Sequence, residues 1–169
     1  GDYAPHLYVT TDFGRTFRSI ANNLPKGGPD FVHVIREDPT NRDLLFVGTD
    51  VGVYVSLNRG VSWQKFMRNL PTVPVHDLKI HPRDRELIAG THGRSIWIVD
   101  ISPLQQLSTG VLASNPYLFQ PTTAYQYGEE LRGGGSIGHK TFRAPSPGYG
   151  AAIAYRVTSG EPRSQVQLV

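Results

Sequence analysis

The chain has no cysteine, which excludes disulfides and thiolate metal sites and leaves the redox compartment open. It has a single methionine but thirteen prolines and eighteen glycines, a balance that disfavours helical bundles and favours short strands joined by turns. No stretch approaches the roughly 20 apolar residues of a membrane span. The N-terminus also lacks the charged-then-apolar form of a signal peptide, so the chain reads either as cytosolic or as an interior or processed piece of an exported protein. Basic runs are missing as well. Its 17 basic and 14 acidic residues are interspersed, giving a net charge of +3 and a pI near 9.3, the pattern of a solvated mixed surface rather than a nucleic-acid footprint. With 169 residues there is room for one modest domain with a core, or parts of two.

What is present is a stretch written twice. Leu7-Tyr8-Val9-Thr10-Thr11-Asp12-Phe13-Gly14-Arg15-Thr16-Phe17 returns as Val53-Tyr54-Val55-Ser56-Leu57-Asn58-Arg59-Gly60-Val61-Ser62-Trp63. Each copy alternates like a strand, turns at a polar residue and a glycine, and re-enters a strand at a hydroxyl followed by an aromatic. Asp12 and Asn58 are placed to accept backbone N–H groups two or three residues on, and Gly14 and Gly60 to take positive φ. The hydroxyls of Thr10, Thr16, Ser56 and Ser62 are placed to tie the arms, with Phe17 and Trp63 turned inward as apolar anchors. The pattern resembles the Asp-box of BNR-repeat β-propellers, the architecture of sialidases, some xyloglucan-degrading hydrolases and sortilin-type (Vps10) domains.

Other features recur in step. Asn23-Leu24-Pro25 returns as Asn69-Leu70-Pro71, and Asp12 and Asn58, His33 and His76, Pro39 and Pro82, and Gly48 and Gly90 stand 42 to 46 residues apart. Four short strands in such a period are a propeller-blade signature. The third unit ends at Ser95-Ile96-Trp97-Ile98-Val99-Asp100 without an Asp-box turn, and Ser102 as N-cap with Pro103 next predicts a short helix through Leu107. Residues 75–103, with Gly90-Thr91-His92-Gly93-Arg94-Ser95, look very like the last blade of bacterial sortilin-like BNR-repeat proteins. That resemblance implies an all-β chain: partial propeller blades over 1–103, a linker with a short helix, strands and a mobile glycine-rich loop (128–138) over 104–138, and the start of an immunoglobulin-like β-sandwich over 139–169. It also implies a secreted or periplasmic protein. Strands are expected at 117–121, 124–127, 152–157 and 165–169.

Fewer than three blades cannot close a ring, so the open edges and faces are expected to meet something else. Chemistry is harder to find. Glu37, Asp38, Asp43, Asp50, Asp77, Asp84, Glu86 and Asp100 read as solvated turn residues, with no pair set for glycoside hydrolysis. His76 and His81 have an odd spacing that puts them on opposite faces of one strand, so no metal or cofactor is expected. The equivalence of His33 and His76 suggests instead a repeated structural role, a histidine hydrogen-bonded between adjacent strands. His92 and Arg94 form the most site-like pair, facing an acidic or sugar ligand or a partner; the alternative is a structural turn with Arg94 paired to a neighbouring acid. Gly133 to Thr141 superficially resembles a phosphate loop, but His139 separates glycine from Lys140 and no apolar strand precedes it. Tyr117, Phe119, Tyr125 and Tyr127 read as core aromatics. Two functions stand: a non-catalytic interaction or scaffold element, such as an extrinsic subunit docking on a larger membrane-associated assembly, or a piece of a glycan-active hydrolase whose catalytic acids lie elsewhere.

Overall fold

The computed structural model describes residues 2, 4–26, 28, 30–125 and 150–158, and its strands pair antiparallel throughout. A hairpin of β1 (Tyr8–Val9) and β2 (Arg18–Ser19) is followed by a four-stranded sheet in chain order: β3 (Val32–Glu37), β4 (Leu45–Thr49), β5 (Gly52–Ser56) and β6 (Gln64–Lys65). The next sheet has three strands, β7 (Val75–His81), β8 (Glu86–Thr91) and β9 (Ile96–Asp100). The all-β reading holds, and no sheet closes on itself among the described residues.

The two Asp-box turns form because their side chains complete the backbone's hydrogen bonds locally. Asp12 Oδ1 accepts from the Thr16 N–H at 2.9 Å, Thr16 Oγ1 donates to Asp12 Oδ2 at 2.6 Å, and the Gly14 N–H donates to Thr10 Oγ1 at 2.8 Å. In the second copy the Ser62 N–H donates to Asn58 Oδ1 at 2.9 Å, Asn58 Nδ2 donates to Ser62 Oγ at 2.8 Å, and the Gly60 N–H donates to Ser56 Oγ at 2.8 Å. The carboxylate or amide reaches chiefly four residues on, with the Arg15 amide a lesser contact of Asp12, while the Thr10 and Ser56 hydroxyls take the nearer glycine amide. These bonds hold the Asp12 carboxyl well below its ordinary 3.8, at about 2, with the Thr16 hydroxyl the largest cause. A depressed carboxyl pKa supports folding above the ordinary value and loses that support as pH falls through the folded value. The Thr16 amide proton is thus expected to shift in an NMR titration with an inflection near pH 2, while the Ser62 amide stays flat because Asn58 does not ionise. Equal behaviour of the two amides would contradict this.

Strand alternation then stacks the sheets face to face. Leu45, Val47 and Tyr54 of the second sheet, with Trp63, bury against Leu7, Ile20, Ala21 and Leu24 of the hairpin unit. The opposite face, Val34, Phe46, Val53 and Val55, buries against Val75, Leu78, Leu87 and Ala89 of the third sheet, with Ile101. Polar clamps fix each joint. Asn23 Oδ1 accepts from the Trp63 N–H and its Nδ2 donates to the Trp63 carbonyl, both at 2.8 Å, while Trp63 Nε1 donates to the Ile20 carbonyl at 2.7 Å. Across the other joint, Arg36 donates to the Leu78 carbonyl and to Asp77 Oδ1, both at 2.7 Å. Burial and the neighbouring Asp30 carboxylate push the Tyr54 phenol up to about 12.

Several expectations change. Phe17 is 66% exposed whereas Trp63 is 3% exposed, since the anchor buries against the preceding unit and no described residues precede the first hairpin in that way. Asp38 is buried, not solvated. Its carboxylate accepts from the Thr40 N–H and hydroxyl, the Asn41 N–H and Gln105 Nε2. The helix α1 (Ser102–Gln105) is capped at Ile101 rather than Ser102, and Asp100 Oδ1 accepts the Ser102 N–H at 2.7 Å. A second helix, α2 (Thr109–Ala113), starts at Ser108, whose hydroxyl accepts the Val111 N–H.

In the tail, β10 (Tyr117–Leu118) pairs with β11 (Tyr155–Arg156), shorter strands than expected, and they join the linker to the segment beyond it. Phe119 is buried edge-on to Tyr117, but Tyr125 is exposed. Tyr127, the glycine-rich loop, the phosphate-loop look-alike and the strand at 165–169 lie outside the described residues.

Candidate functional site

Two features gather chemistry. The first stands where β3 and β7 begin. Both strands carry an extra residue against their partners, between Val32 and Val34 and between Val75 and Asp77, so His33 and His76 are the bulged residues. A bulge re-aims its side chain out of the sheet's alternation. Each sheet also sets a second residue beside its bulge: the Asp50 N–H donates to the Phe31 carbonyl at 3.3 Å, and the His92 N–H donates to the Pro74 carbonyl at 2.9 Å. Asp50 and His92 are therefore repeat equivalents. His33 Nε2 meets Asp50 Oδ1 at 2.7 Å, the His33 and His76 rings are 4.6 Å apart, and His76 lies 5.3 Å from His92. Phe31 closes the row, its ring T-shaped to that of His33 with centres 5.2 Å apart.

The structural role proposed for the two histidines is met for His33, whose Asp50 partner follows the adjacent strand. The His92–Arg94 pair is divided. His92 joins the histidine row, while Arg94 is exposed and forms no ion pair among the described residues. Its carbonyl accepts from Trp97 Nε1 at 2.9 Å. His81 pairs with Asp84. Of the acids considered for hydrolysis, Asp50, Asp77 and Asp84 are engaged by His33, Arg36 and Arg83 respectively, and Asp38 is buried among its own donors.

The second feature is the side of β9 that no strand pairs among the described residues. Matched through their pairing with β4 and β8, Val53, Tyr54 and Val55 of β5 correspond to Ile96, Trp97 and Ile98 of β9. β5 is buried along its whole length and paired with β6, whereas Ile96 is 67% and Ile98 59% exposed. Beside them runs a cavity of about 410 Å³ whose wall includes Phe66, Asn69, Leu70, Trp97, Val99 and Leu104. Asn69, the counterpart of the Asn23 that clamps Trp63, lies open at this cavity.

Searches against protein-family models, curated proteins and solved structures each returned no match.

Proposed function

We propose that the chain is a non-catalytic interaction and scaffold element, a segment of a BNR/Asp-box propeller of the sortilin-like kind, whose third sheet receives a fourth strand from a protein partner. The observation that carries this reading is the mismatch between equivalent strands: β5 is covered and paired on both sides, and β9 presents Ile96 and Ile98 of the matching positions to solvent. Unpaired strand edges are templates for strand addition, in which main-chain bonds supply affinity and pockets for alternate side chains supply selectivity.

The chain itself describes the occupant. In the second sheet, β6 follows Trp63, whose ring buries against the hairpin unit and whose backbone is bracketed by Asn23. At the third sheet the corresponding place is the cavity holding Asn69. The partner segment is therefore extended, with a hydroxyl residue before an aromatic, lying along β9 with its ring in the cavity. Secretion or a periplasmic location and docking on a larger membrane-associated assembly belong to this reading through the resemblance.

The probe is a labelled peptide with the sequence of residues 61–66, followed by fluorescence anisotropy. Binding is expected with a Kd of about 100 µM, since few main-chain bonds and one aromatic anchor must offset the ordering of a short peptide. Asn69→Ala in the protein removes two hydrogen bonds to the peptide backbone and weakens binding about tenfold or more. The same peptide with alanine for its tryptophan does not bind. No anisotropy change at about 1 mM peptide, or binding indifferent to Asn69→Ala, overturns the reading.

A further inference from the structure

We infer that His33, Asp50 and His76 form a binding site for a divalent transition-metal cation of the Zn²⁺ class, placed across the joint between the second and third sheets. Each residue offers one ligand atom, and the three atoms lie within 4.8 Å of one another. Donors around a tetrahedral Zn²⁺ at about 2.0–2.1 Å stand roughly 3.3 Å apart, so side-chain rotation alone closes the difference.

The backbone holds the set in place. His33 and His76 are the bulge residues of strands that lie against each other, and Asp50 is fixed by its N–H bond to the Phe31 carbonyl. His33 and His76 are exposed residues, and the side chains of His33 and Asp50 keep about a fifth of their surface in contact with solvent, which leaves an ion a path in. The donor chemistry selects the metal. Two imidazoles and a single carboxylate suit Zn²⁺, Co²⁺, Ni²⁺ or Cu²⁺, whereas Ca²⁺ and Mg²⁺ demand a shell of oxygens. Three protein ligands leave a position for water or an anion, and the His92 ring lies 5.3 Å from that of His76. A metal here replaces the His33–Asp50 hydrogen bond with coordination and adds His76, so that it ties β3 to β7. The histidine and the aspartate of the second sheet recur as two histidines in the third, and the ion sits where the two pairs meet.

The inference is independent of strand addition at β9, because none of its residues lines that cavity. It is tested on the full chain with Co²⁺ as a visible probe and Zn²⁺ as competitor. Co²⁺ is expected to give the visible absorption of a low-coordinate nitrogen/oxygen site with a Kd of about 10 µM, and Zn²⁺ to displace it and raise the thermal midpoint. His76→Ala and Asp50→Asn are each expected to weaken Co²⁺ binding about tenfold or more, while His81→Ala leaves it unchanged. Asp50→Asn keeps the side chain's shape, so it decides the matter even if His76→Ala disturbs the fold. No absorption change with excess Co²⁺, or a signal that survives both His76→Ala and Asp50→Asn, overturns the inference.

Discussion

Trp63→Ala is expected to lower the unfolding free energy by about 3–5 kcal/mol, the usual cost of truncating a fully buried large aromatic. Its ring is 3% exposed among Ile20, Leu24 and Tyr54, and the variant also strands the Ile20 carbonyl that accepts Nε1–H at 2.7 Å. Phe17→Ala changes the equivalent motif position and is expected to move stability by no more than about 0.5 kcal/mol, as for other exposed sites. Phe17 is 66% exposed. Chemical denaturation of the two variants beside the parent chain measures the contrast. Equal losses would mean that the aromatic serves its own hairpin; the structure places its value in the joint with the preceding unit.

That contrast marks what the sequence could and could not reveal. The Asp-box turns were legible because every bond they need comes from within seven residues: Thr10, Asp12, Gly14 and Thr16 close their own loop, as Ser56, Asn58, Gly60 and Ser62 do. The four strands of the second sheet were legible for the same reason, since alternation and turn residues are local signals. Burial of Phe17 and Trp63 was not, because identical local motifs are sorted by what another unit lays against them. Asp38 misled in the same way: it sits in a polar turn, but Gln105, far along the chain, folds over it and donates from Nε2 at 2.6 Å.

The histidine row was the largest omission. His76 and His81 are close along one strand, whereas His33 and His76 come from β3 and β7, neighbours only through sheet stacking, and Asp50 from the turn after β4. The equivalence of His33 and His76 was the available signal. Equivalent bulges on stacked sheets put their side chains side by side, and the step from Asp50 to His92 is a change of residue type at one repeat position. The open side of β9 was anticipated as an unfilled edge; what the sequence did not supply was its geometry, with Asn69 at the cavity as a second copy of Asn23.

The same repeat logic applies to two glycines. Gly48 and Gly90 occupy matching places in β4 and β8, opposite Val34 and Asp77 of the strands that begin each sheet. A Cβ on Gly48 would meet the Val75 carbonyl oxygen at 2.7 Å and Val34 Cγ1 at 2.8 Å. The nearer obstacle is backbone of the stacked third sheet, which cannot swing aside as a side-chain tip would. Gly48→Ala therefore overpacks the joint and is expected to cost about 2–3 kcal/mol. A Cβ on Gly90 finds only Asp77, its carbonyl oxygen at 3.7 Å and its Cβ at 4.0 Å, which is ordinary contact. With no strain to offset it, the reduced freedom of the unfolded chain makes Gly90→Ala neutral or stabilising by up to about 1 kcal/mol.

The central claim is that the third sheet repeats the second but lacks both its fourth strand and a following sheet among the described residues. The most direct measurement is the urea midpoint of Gly48→Ala against that of Gly90→Ala in the isolated chain. A marked drop for Gly48→Ala with an unchanged or raised midpoint for Gly90→Ala is the expected result, and equal drops for the two variants would contradict it.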